Sequence, residues 1–473
     1  MSKILKGGTL ITASETIDAE ILIDGEKITA IGQEFPVNQD DEVVDCTGKL
    51  ILPGGIDVHT HFDLPMFGTR SSDDHYTGHK AAAFGGTTTA LDFISQDEPT
   101  LAGCVKAWHE KADPKAAIDY GFHMNITYFD DQIAKEIPDL VRKGITSLKV
   151  FSAYNNRLRL QDGEIFQVLR IAKKYGLLTM LHAENGDVID ILISEALEAG
   201  HLTPEWHALT RPAWGAVEAV LRGEALAAQA GAPLYIVHMN AGGEADQLAY
   251  ARAQGLPVMG ETCPQYLFFT IDDMRRPDGA KWVCSPPVRE KKDNERLWTA
   301  ICEGTIQVLA TDHCPFFYDG SKPILYEGKE VAIPGKELGK DDFTKIPNGL
   351  PGVGDRLAIF WTSAVQSGKI SPNQFVALTS TNPAKIFGLY PHKGTIMPGS
   401  DADLAVWDPN KQVTYGVKRS HQRTDYNLYE GFELKGYPEK IFLRGHMIVD
   451  GENWYGSAGM GKFIHREPFA AVL

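Results

Sequence analysis

The middle of the chain, from about residue 54 to 389, alternates short apolar runs with longer segments rich in alanine, leucine, glutamate and lysine. Strict alternation of strand-like and helix-like segments predicts parallel strands joined by crossover helices. The strand candidates are 56–58, 87–93, 120–126, 147–151, 177–181, 234–237, 257–260 and 306–310, and the helix candidates include 164–175 and 218–230. Eight such units predict an α/β fold, a closed (β/α)8 TIM barrel whose active site lies at the carboxyl ends of the strands.

An open, doubly wound sheet is the alternative fold that the same alternation allows. Such sheets commonly carry a G-x-G-x-x-G phosphate-binding turn directly after the first strand. Here the residues that follow the first strand candidate are His59, Thr60 and His61. The sequence therefore favours the closed barrel.

Both ends of the chain have the pattern of β-structure. Asp24-Gly25 is a two-residue hairpin signal between apolar runs. The short apolar runs at the two ends are 19–23, 26–31, 43–52, 403–407 and 440–449. We infer a smaller β domain assembled from both ends of the chain, with residues 1–53 and 393–473, around a barrel of residues 54–392.

The net charge and the spacing of the cysteines indicate which binding partners and which cellular compartment to expect. A formal net charge of −16 argues against nucleic acid or an anionic membrane surface as partner. The first 20 residues hold no long apolar segment typical of a secretory signal, and no run approaches the roughly 18 apolar residues that span a bilayer. The six cysteines are scattered without a C-x-x-C pair, so we expect reduced thiols in a cytoplasmic protein.

Polar side chains end five of the apolar runs. They are His59 and His61 at the first, Lys149 at the fourth, His182 at the fifth, His238 at the sixth and Asp312 at the eighth. In a barrel all of them would face one mouth. Residues i and i+2 of a strand face the same way, so the first two histidines can bind one ion together. Histidine nitrogen and carboxylate oxygen are usual ligands of catalytic zinc, and the joint pattern predicts a metal site.

Lys149 is the unusual member of this set, because a buried ammonium is costly to desolvate. One interpretation is a lysine whose ammonium pairs with a carboxylate. The other is a neutral amine that reacts with carbon dioxide. The resulting carbamate would be an anionic ligand able to bridge two metal ions.

With these residues in place, the chain resembles the amidohydrolase superfamily, and within it the dihydropyrimidinase/hydantoinase family over essentially its whole length. The resemblance rests on the stretch Gly55-Ile56-Asp57-Val58-His59-Thr60-His61, on the other strand-end residues, and on four further stretches. These are Gly85-Gly86-Thr87-Thr88, Cys284-Ser285-Pro286-Pro287, Gly339-Lys340-Asp341-Asp342-Phe343 and Pro347-Asn348-Gly349.

The resemblance implies a binuclear metal centre, most simply of zinc, and a ring-opening hydrolase that is usually a homotetramer. It implies that His59 and His61 bind the first metal, that His182 and His238 bind the second, and that carboxylated Lys149 bridges them. Asp312 would complete the first site and act as the catalytic acid and base. Tyr154 would position substrate and stabilise the oxyanion, and Ser285 and Asn348 would hold the imide edge of a small cyclic amide.

Related families offer alternative functions. Dihydroorotases commonly carry an arginine just after the H-x-H pair, whereas Phe62 and Asp63 follow it here. Collapsin response mediator proteins are non-catalytic scaffolds that have lost metal ligands, whereas every expected ligand type is present in this chain. Allantoinases have a similar ligand set and also act on a hydantoin ring, so allantoin hydrolysis stays open.

An apolar wall is predicted around the ring carbon opposite the imide. Leu64, Met66 and Phe67 lie in the first βα loop, and Phe151 lies two residues after Lys149, on the same side of its strand. No basic residue occurs between Phe62 and Gly68. We therefore expect activity on dihydrouracil and on hydantoins with apolar 5-substituents, and little on dihydroorotate.

Overall fold

The computed structural model describes residues 2–66, 68–326 and 328–470, and its centre is an eight-stranded parallel sheet. In chain order the strands are β1 (Gly55–Thr60), β2 (Thr87–Ile94), β3 (Asp119–Asn125), β4 (Ser147–Phe151), β5 (Leu178–His182), β6 (Leu234–Ile236), β7 (Val258–Thr262) and β8 (Val308–Leu309). Each strand pairs in parallel with the next. The sheet closes where Thr60 bridges His313 in parallel and the His61 N–H donates to the His313 carbonyl at 2.8 Å. The predicted (β/α)8 barrel is confirmed.

Helices cover the outside of the barrel. The longer ones are α1 (His75–Phe84), α2 (Leu101–Ala112), α3 (Asp131–Arg142), α4 (Asp162–Tyr175), α5 (Gly186–Glu198), α6 (Ala213–Ala230), α7 (Gly242–Ala253) and α8 (Lys291–Cys302). Helix α3 shows how they attach: Asp130 caps its N-terminus, and Ile133, Ile137 and Leu140 form its buried face at helical spacing. Among the described residues, no helix combines the length and the apolar character needed to cross a membrane.

Shorter helical segments connect or follow these units. The α-helical ones are Trp206–Leu209, Gln265–Phe268, Ile271–Met274, Arg356–Phe360, Pro372–Val376, Asn382–Ile386 and Val417–Ser420. The 3-10 segments are Gly279–Trp282, Lys336–Gly339 and Phe343–Lys345, and the π-helical ones are Trp361–Val365 and Ala377–Thr381.

Alternate residues of the barrel strands fill its interior. Leu91 with Phe93 and Leu178 with Met180 belong to one buried cluster inside the barrel. In β4 the residues between, Leu148 and Val150, pack outward in the large cluster shared with the helices. Because side chains alternate across a strand, Lys149 faces the interior, as the sequence predicted.

A smaller β domain combines both ends of the chain, which confirms that part of the fold prediction. Its seven-stranded sheet joins Thr9–Ile11, Thr16–Asp18 and Leu50–Pro53 to Leu404–Thr414, Glu433–Leu443, His446–Asp450 and Asn453–Trp454. A four-stranded sheet contains Ser2–Lys6, Glu20–Asp24, Lys27–Gly32 and Glu42–Asp45. The apolar run 43–52 is thus divided between the two sheets, because a turn with Gly48 at φ 71° separates its halves.

The chain end after the last strand returns to the barrel. The Ile464 N–H donates to the Tyr120 carbonyl at 2.7 Å, near the start of β3. Buried Arg466 donates to the Ser147 hydroxyl at 2.9 Å and to the Phe122 carbonyl. These contacts close the amino-terminal end of the barrel and leave the carboxyl ends of the strands as the open mouth.

Two short hairpins lie on the loops that follow β1 and β8. The first pairs Pro65–Met66 with Thr69–Arg70, and the second pairs Ile324–Tyr326 with Lys329–Val331. The Tyr326 hydroxyl donates to Asp63 Oδ1 at 2.9 Å, and Arg70 forms an ion pair with the same carboxylate at 3.1 Å. The second hairpin therefore supports the base of the first.

Candidate active site

Three of the predicted ligands meet where β8 returns to β1. Asp312 Oδ1 lies 3.1 Å from His59 Nε2 and 3.2 Å from His61 Nε2. One ligand atom from each of the three residues lies within 4.8 Å of the other two. The ends of adjacent barrel strands thus bring two imidazoles and one carboxylate to a single point.

The other predicted ligands complete a second group beside the first. His182 Nδ1 and His238 Nε2 are 3.0 Å apart, and the rings of His59 and His238 have centroids 5.3 Å apart. Lys149 Nζ lies 3.1 Å from His59 Nε2. All six strand-end residues predicted from the sequence therefore converge on one place.

The donor set fits divalent cations. Burial lowers the pKa values of His61, His182 and His238, which keeps their rings neutral and their lone pairs free for a metal. Burial and Lys149 also oppose protonation of His59, but Glu261 and Asp312 outweigh them and raise its pKa. Asp312 is ionised, because His59 and His61 lower its pKa well below the usual range although burial opposes this. Ring nitrogens this close to each other and to a carboxylate are the arrangement that bound cations require.

Lys149 is buried and lies among aromatic rings. Its Nζ is 4.3 Å from the centre of the Phe93 ring and 5.3 Å from that of Phe151. Burial lowers the pKa of its ammonium to about 8, although Asp312 and Glu261 act in the opposite direction. The neutral amine, which is the form that reacts with carbon dioxide, is therefore more accessible here than in an exposed lysine.

Two carboxylates that sequence reasoning missed orient the histidines. Buried Glu261, at the end of β7, accepts from His59 Nδ1, from the Tyr235 hydroxyl at 2.9 Å and from the His238 N–H at 3.2 Å. Glu184 Oε2 lies 2.8 Å from His182 Nε2. Such partners fix which ring nitrogen faces a metal. The sequence did contain a pattern that points to Glu261, because this carboxylate directly follows the seventh apolar run.

A cavity of about 250 Å³ opens beside these ligands. The lining includes His61, Leu64, Pro65, Met66, Asn125, Lys149, Phe151, Tyr154, Leu158, His182, His238, Ser285, Asp312, Cys314 and Asn348. Leu64, Phe151, Tyr154, Ser285 and Asn348, which the sequence assigned to substrate, all line it. Phe67, assigned to the same apolar wall, lies outside the described residues. Asn125 was not predicted, and its buried Oδ1 has no hydrogen-bond partner among the described residues.

Backbone strain is concentrated at this cavity. Tyr154 (φ 65°), His238 (φ 39°) and Asp312 (φ 54°) adopt left-handed conformations that cost non-glycine residues free energy. The strained backbone of Tyr154 places its ring 5.1 Å from that of His182. Burial raises the Tyr154 pKa above its usual value, so the hydroxyl keeps its proton and can donate it in a hydrogen bond.

Two further histidines beside the cavity have structural partners. His313 Nε2 faces Asp73 at 3.2 Å, and its Nδ1 accepts the Gly352 N–H at 3.1 Å. His207, which the sequence suggests is a surface or packing histidine, is buried, and its Nε2 lies 3.1 Å from the Ser285 hydroxyl and 2.8 Å from the Cys284 carbonyl. It therefore holds the loop that carries Ser285 at the edge of the cavity.

Comparison with known proteins agrees with this geometry. The model of the amidohydrolase family matches residues 50–448. The D-hydantoinase of Geobacillus stearothermophilus is 43% identical, covering 100% of this chain and 98% of the relative. The D-hydantoinase of Streptomyces coelicolor is 40% identical over 98% of this chain and 97% of its own. The crystal structure of dihydropyrimidinase from Brevibacillus agri superposes with a TM-score of 0.95 at 46% identity, covering 100% of both chains.

Both the closed barrel and its histidine-bearing strand ends are those of the amidohydrolase superfamily, whose family model spans most of the chain. Within that superfamily, the chain belongs to the hydantoinase and dihydropyrimidinase family. Family membership implies a binuclear metal centre, and the two groups of ligands described above provide for one.

Proposed function

We propose that this chain opens the rings of hydantoins and 5,6-dihydropyrimidines by hydrolysing a ring amide, which yields N-carbamoyl amino acids. The observation that carries the proposal is the convergence of the six predicted metal ligands beside one cavity that has both a polar and an apolar wall. A volume of about 250 Å³ suits a small ring with a modest substituent.

We assign the first metal to His59 and His61 and the second to His182 and His238, with Lys149 as an N6-carboxylysine bridge and Asp312 on the first ion. Zinc is the metal that this nitrogen and oxygen donor set favours. Two such ions, when bound, lower the pKa of water and polarise the carbonyl group under attack.

The side chains of the cavity then move protons and stabilise charge. Asp312 accepts the proton of the attacking water and passes it to the ring nitrogen that leaves. The protonated Tyr154 hydroxyl donates to the oxyanion that develops on the attacked carbonyl. Because both residues are held by strained backbone, their side chains are oriented before substrate arrives.

Opposite walls would recognise opposite sides of the ring. Ser285 and Asn348, together with neighbouring main-chain groups, would bind the imide edge. Leu64 and Phe151 would contact the 5-substituent, and we keep Phe67 in the same wall. No basic residue between Phe62 and Gly68 is there to pair with a substrate carboxylate, so desolvation of that carboxylate against the apolar wall would weaken binding of dihydroorotate.

Steady-state rates of the zinc-loaded enzyme on hydantoin, 5-phenylhydantoin, dihydrouracil, allantoin and dihydroorotate test the proposal. We expect turnover of the first three and little of dihydroorotate. Allantoin as the preferred substrate would replace the proposal with an allantoinase function. A protein that takes up no metal and acts on none of these compounds would instead be a non-catalytic scaffold.

We also propose a cytoplasmic homotetramer. The six cysteines are free, as reduced thiols would be. Helices α5 and α6 expose apolar side chains in unusual number, including Ile191 (60% exposed), Trp214 (81%) and Leu221 (48%), which suits a contact between copies. Light scattering of the wild type and of Trp214→Asp tests this assembly; a monomeric wild type would refute it.

A further inference from the structure

A buried lysine outside the proposed metal centre connects two substrate-binding loops. Lys336 begins the 3-10 helix Lys336–Gly339, and its side chain is almost completely buried. Its Nζ donates to the Val283 carbonyl at 2.9 Å and to the Pro347 carbonyl at 3.0 Å. Burial lowers the pKa of this ammonium to about 7. Burying a lysine ammonium between main-chain carbonyls costs desolvation free energy. Its presence here therefore indicates a specific role.

The two carbonyls belong to the loops that carry the proposed imide-binding residues. Val283 lies two residues before Ser285, and Pro347 directly precedes Asn348. The loops come from different parts of the chain: the first follows β7, and the second follows β8. Their spacing must therefore be set by contacts between them, and the Lys336 ammonium contacts both.

Neighbouring contacts make this junction tight. The Gly349 N–H donates to the same Val283 carbonyl at 3.2 Å. A Cβ at Gly349 would lie 2.3 Å from the Cys314 carbonyl oxygen, so the Asn348 loop has little freedom to move toward that side. On the other loop, His207 Nε2 lies 2.8 Å from the Cys284 carbonyl and 3.1 Å from the Ser285 hydroxyl.

We propose that Lys336 is a positioning residue that sets the distance between the Ser285 and Asn348 loops, and thereby the fit of the imide edge. This inference rests on the proposed function, because it assumes that those loops bind an imide. An imide presents two carbonyls and one N–H at fixed spacing, so two loops that bind it must keep a fixed separation. A flexible stem with several donors allows one ammonium to hold both carbonyls.

Lys336→Met tests this role by removing both donated hydrogen bonds while keeping an unbranched side chain of similar length. We expect the KM for hydantoin to rise roughly 10-fold, since both carbonyls lose the Lys336 donor, the Val283 carbonyl keeps only the Gly349 N–H, and the loops can separate. The kcat should change less than about 3-fold, because the metal ligands and Tyr154 are untouched. Lys345→Met, at an exposed lysine of the same segment, is the matched control and should keep the wild-type KM.

A change of substrate distinguishes positioning from general loosening. In 2-thiohydantoin a sulfur, which is a weaker acceptor, replaces one imide oxygen. The wild type should discriminate between hydantoin and 2-thiohydantoin in kcat/KM, and Lys336→Met should lose most of that discrimination, as coupled groups do in a double-mutant cycle. If Lys336→Met does not fold, Lys336→Gln, whose shorter amide cannot reach both carbonyls, should show the same change to a smaller degree.

The outcomes separate this inference from the function on which it rests. A wild type inactive on every cyclic amide would refute the proposed function. A wild type active on hydantoin, with Lys336→Met or Lys336→Gln retaining both its KM and its discrimination against 2-thiohydantoin, would refute the positioning role alone.

Discussion

The proposed metal-binding half of the cavity comes from the ends of barrel strands, whereas most of its proposed substrate-binding half comes from loops. His59, Lys149 and His182 are strand residues whose directions follow from β1, β4 and β5. Leu64, Ser285 and Asn348 lie in loops, outside the barrel strands. The first half is held by the hydrogen bonds of the closed sheet, and the second by side chains that reach it from distant segments.

Because the two halves are held by different contacts, we expect the first to govern the chemical step and the second to govern substrate specificity. Glu261 fixes the metal-binding half from within the barrel. Tyr326, Lys336 and His207 hold the loop half, and each could change without disturbing a barrel strand. Barrels of this kind vary their loops over a constant scaffold. Substitutions in the first half should therefore reduce all activities together, whereas those in the second should change the ranking of substrates.

The largest effect is expected for Lys149→Ala, which would remove the proposed bridging ligand from both metal sites. We expect loss of the binuclear centre and a fall in turnover of roughly 10³-fold or more, since metal catalysis is worth several kcal/mol. Metal content and rates on hydantoin and dihydrouracil measure this, with exposed Lys143→Ala as the control. Short carboxylic acids with bicarbonate should restore part of the activity. Two retained metals with a near-normal rate would rule out the carbamate bridge.

Asp312→Asn should have the next largest effect, because it replaces a carboxylate base with a neutral amide of the same shape. We expect turnover to fall at least about 10²-fold on every substrate, the lower range of general acid–base catalysis. Saturation kinetics with parallel metal analysis check this. If metal is retained and turnover is nearly unchanged, the proton transfer belongs to another group.

On the substrate side, Leu64→Ala and Phe151→Ala should enlarge the apolar wall and leave the metal content unchanged. We expect the rate on 5-phenylhydantoin relative to hydantoin to shift about 10-fold toward bulkier substituents, since one methylene in a pocket is worth about 1–3 kcal/mol. Steady-state rates on both compounds measure the shift. Substrate profiles parallel to the wild type would show that the wall lies elsewhere.

The smallest effect is expected for Tyr326→Phe, and this variant tests most directly whether the two halves of the cavity act independently. Tyr326→Phe removes only the hydroxyl that donates to Asp63 at the base of the first hairpin. We expect a change of roughly 2- to 10-fold in the same substrate ratio, the effect of about one hydrogen bond, with dihydrouracil turnover nearly constant. Tyr250→Phe, at an exposed tyrosine, is the control. A uniform loss across substrates would mean that the hairpins also support the metal-binding half.

Much of the fold and of the metal-binding half could be predicted from the sequence. The alternation of strand and helix patterns fixed the barrel, and the period of two within a strand directed Lys149 inward beside Phe151. Glu261 directly follows the seventh apolar run, so its carboxylate has the same sequence pattern as that of Asp312 after the eighth. The small β domain also followed from local signals, except that the run 43–52 forms two strands in different sheets.

By itself, then, the sequence determined which residue types end the barrel strands, because strand periodicity and barrel order are local rules. Only the tertiary structure decided how the loops are held. Tyr326 reaches Asp63 across 263 residues, His207 reaches Ser285 across 78, and Lys336 reaches Val283 across 53 while it also holds Pro347. No local periodicity encodes such contacts, since they depend on where separate loops meet after the barrel has closed.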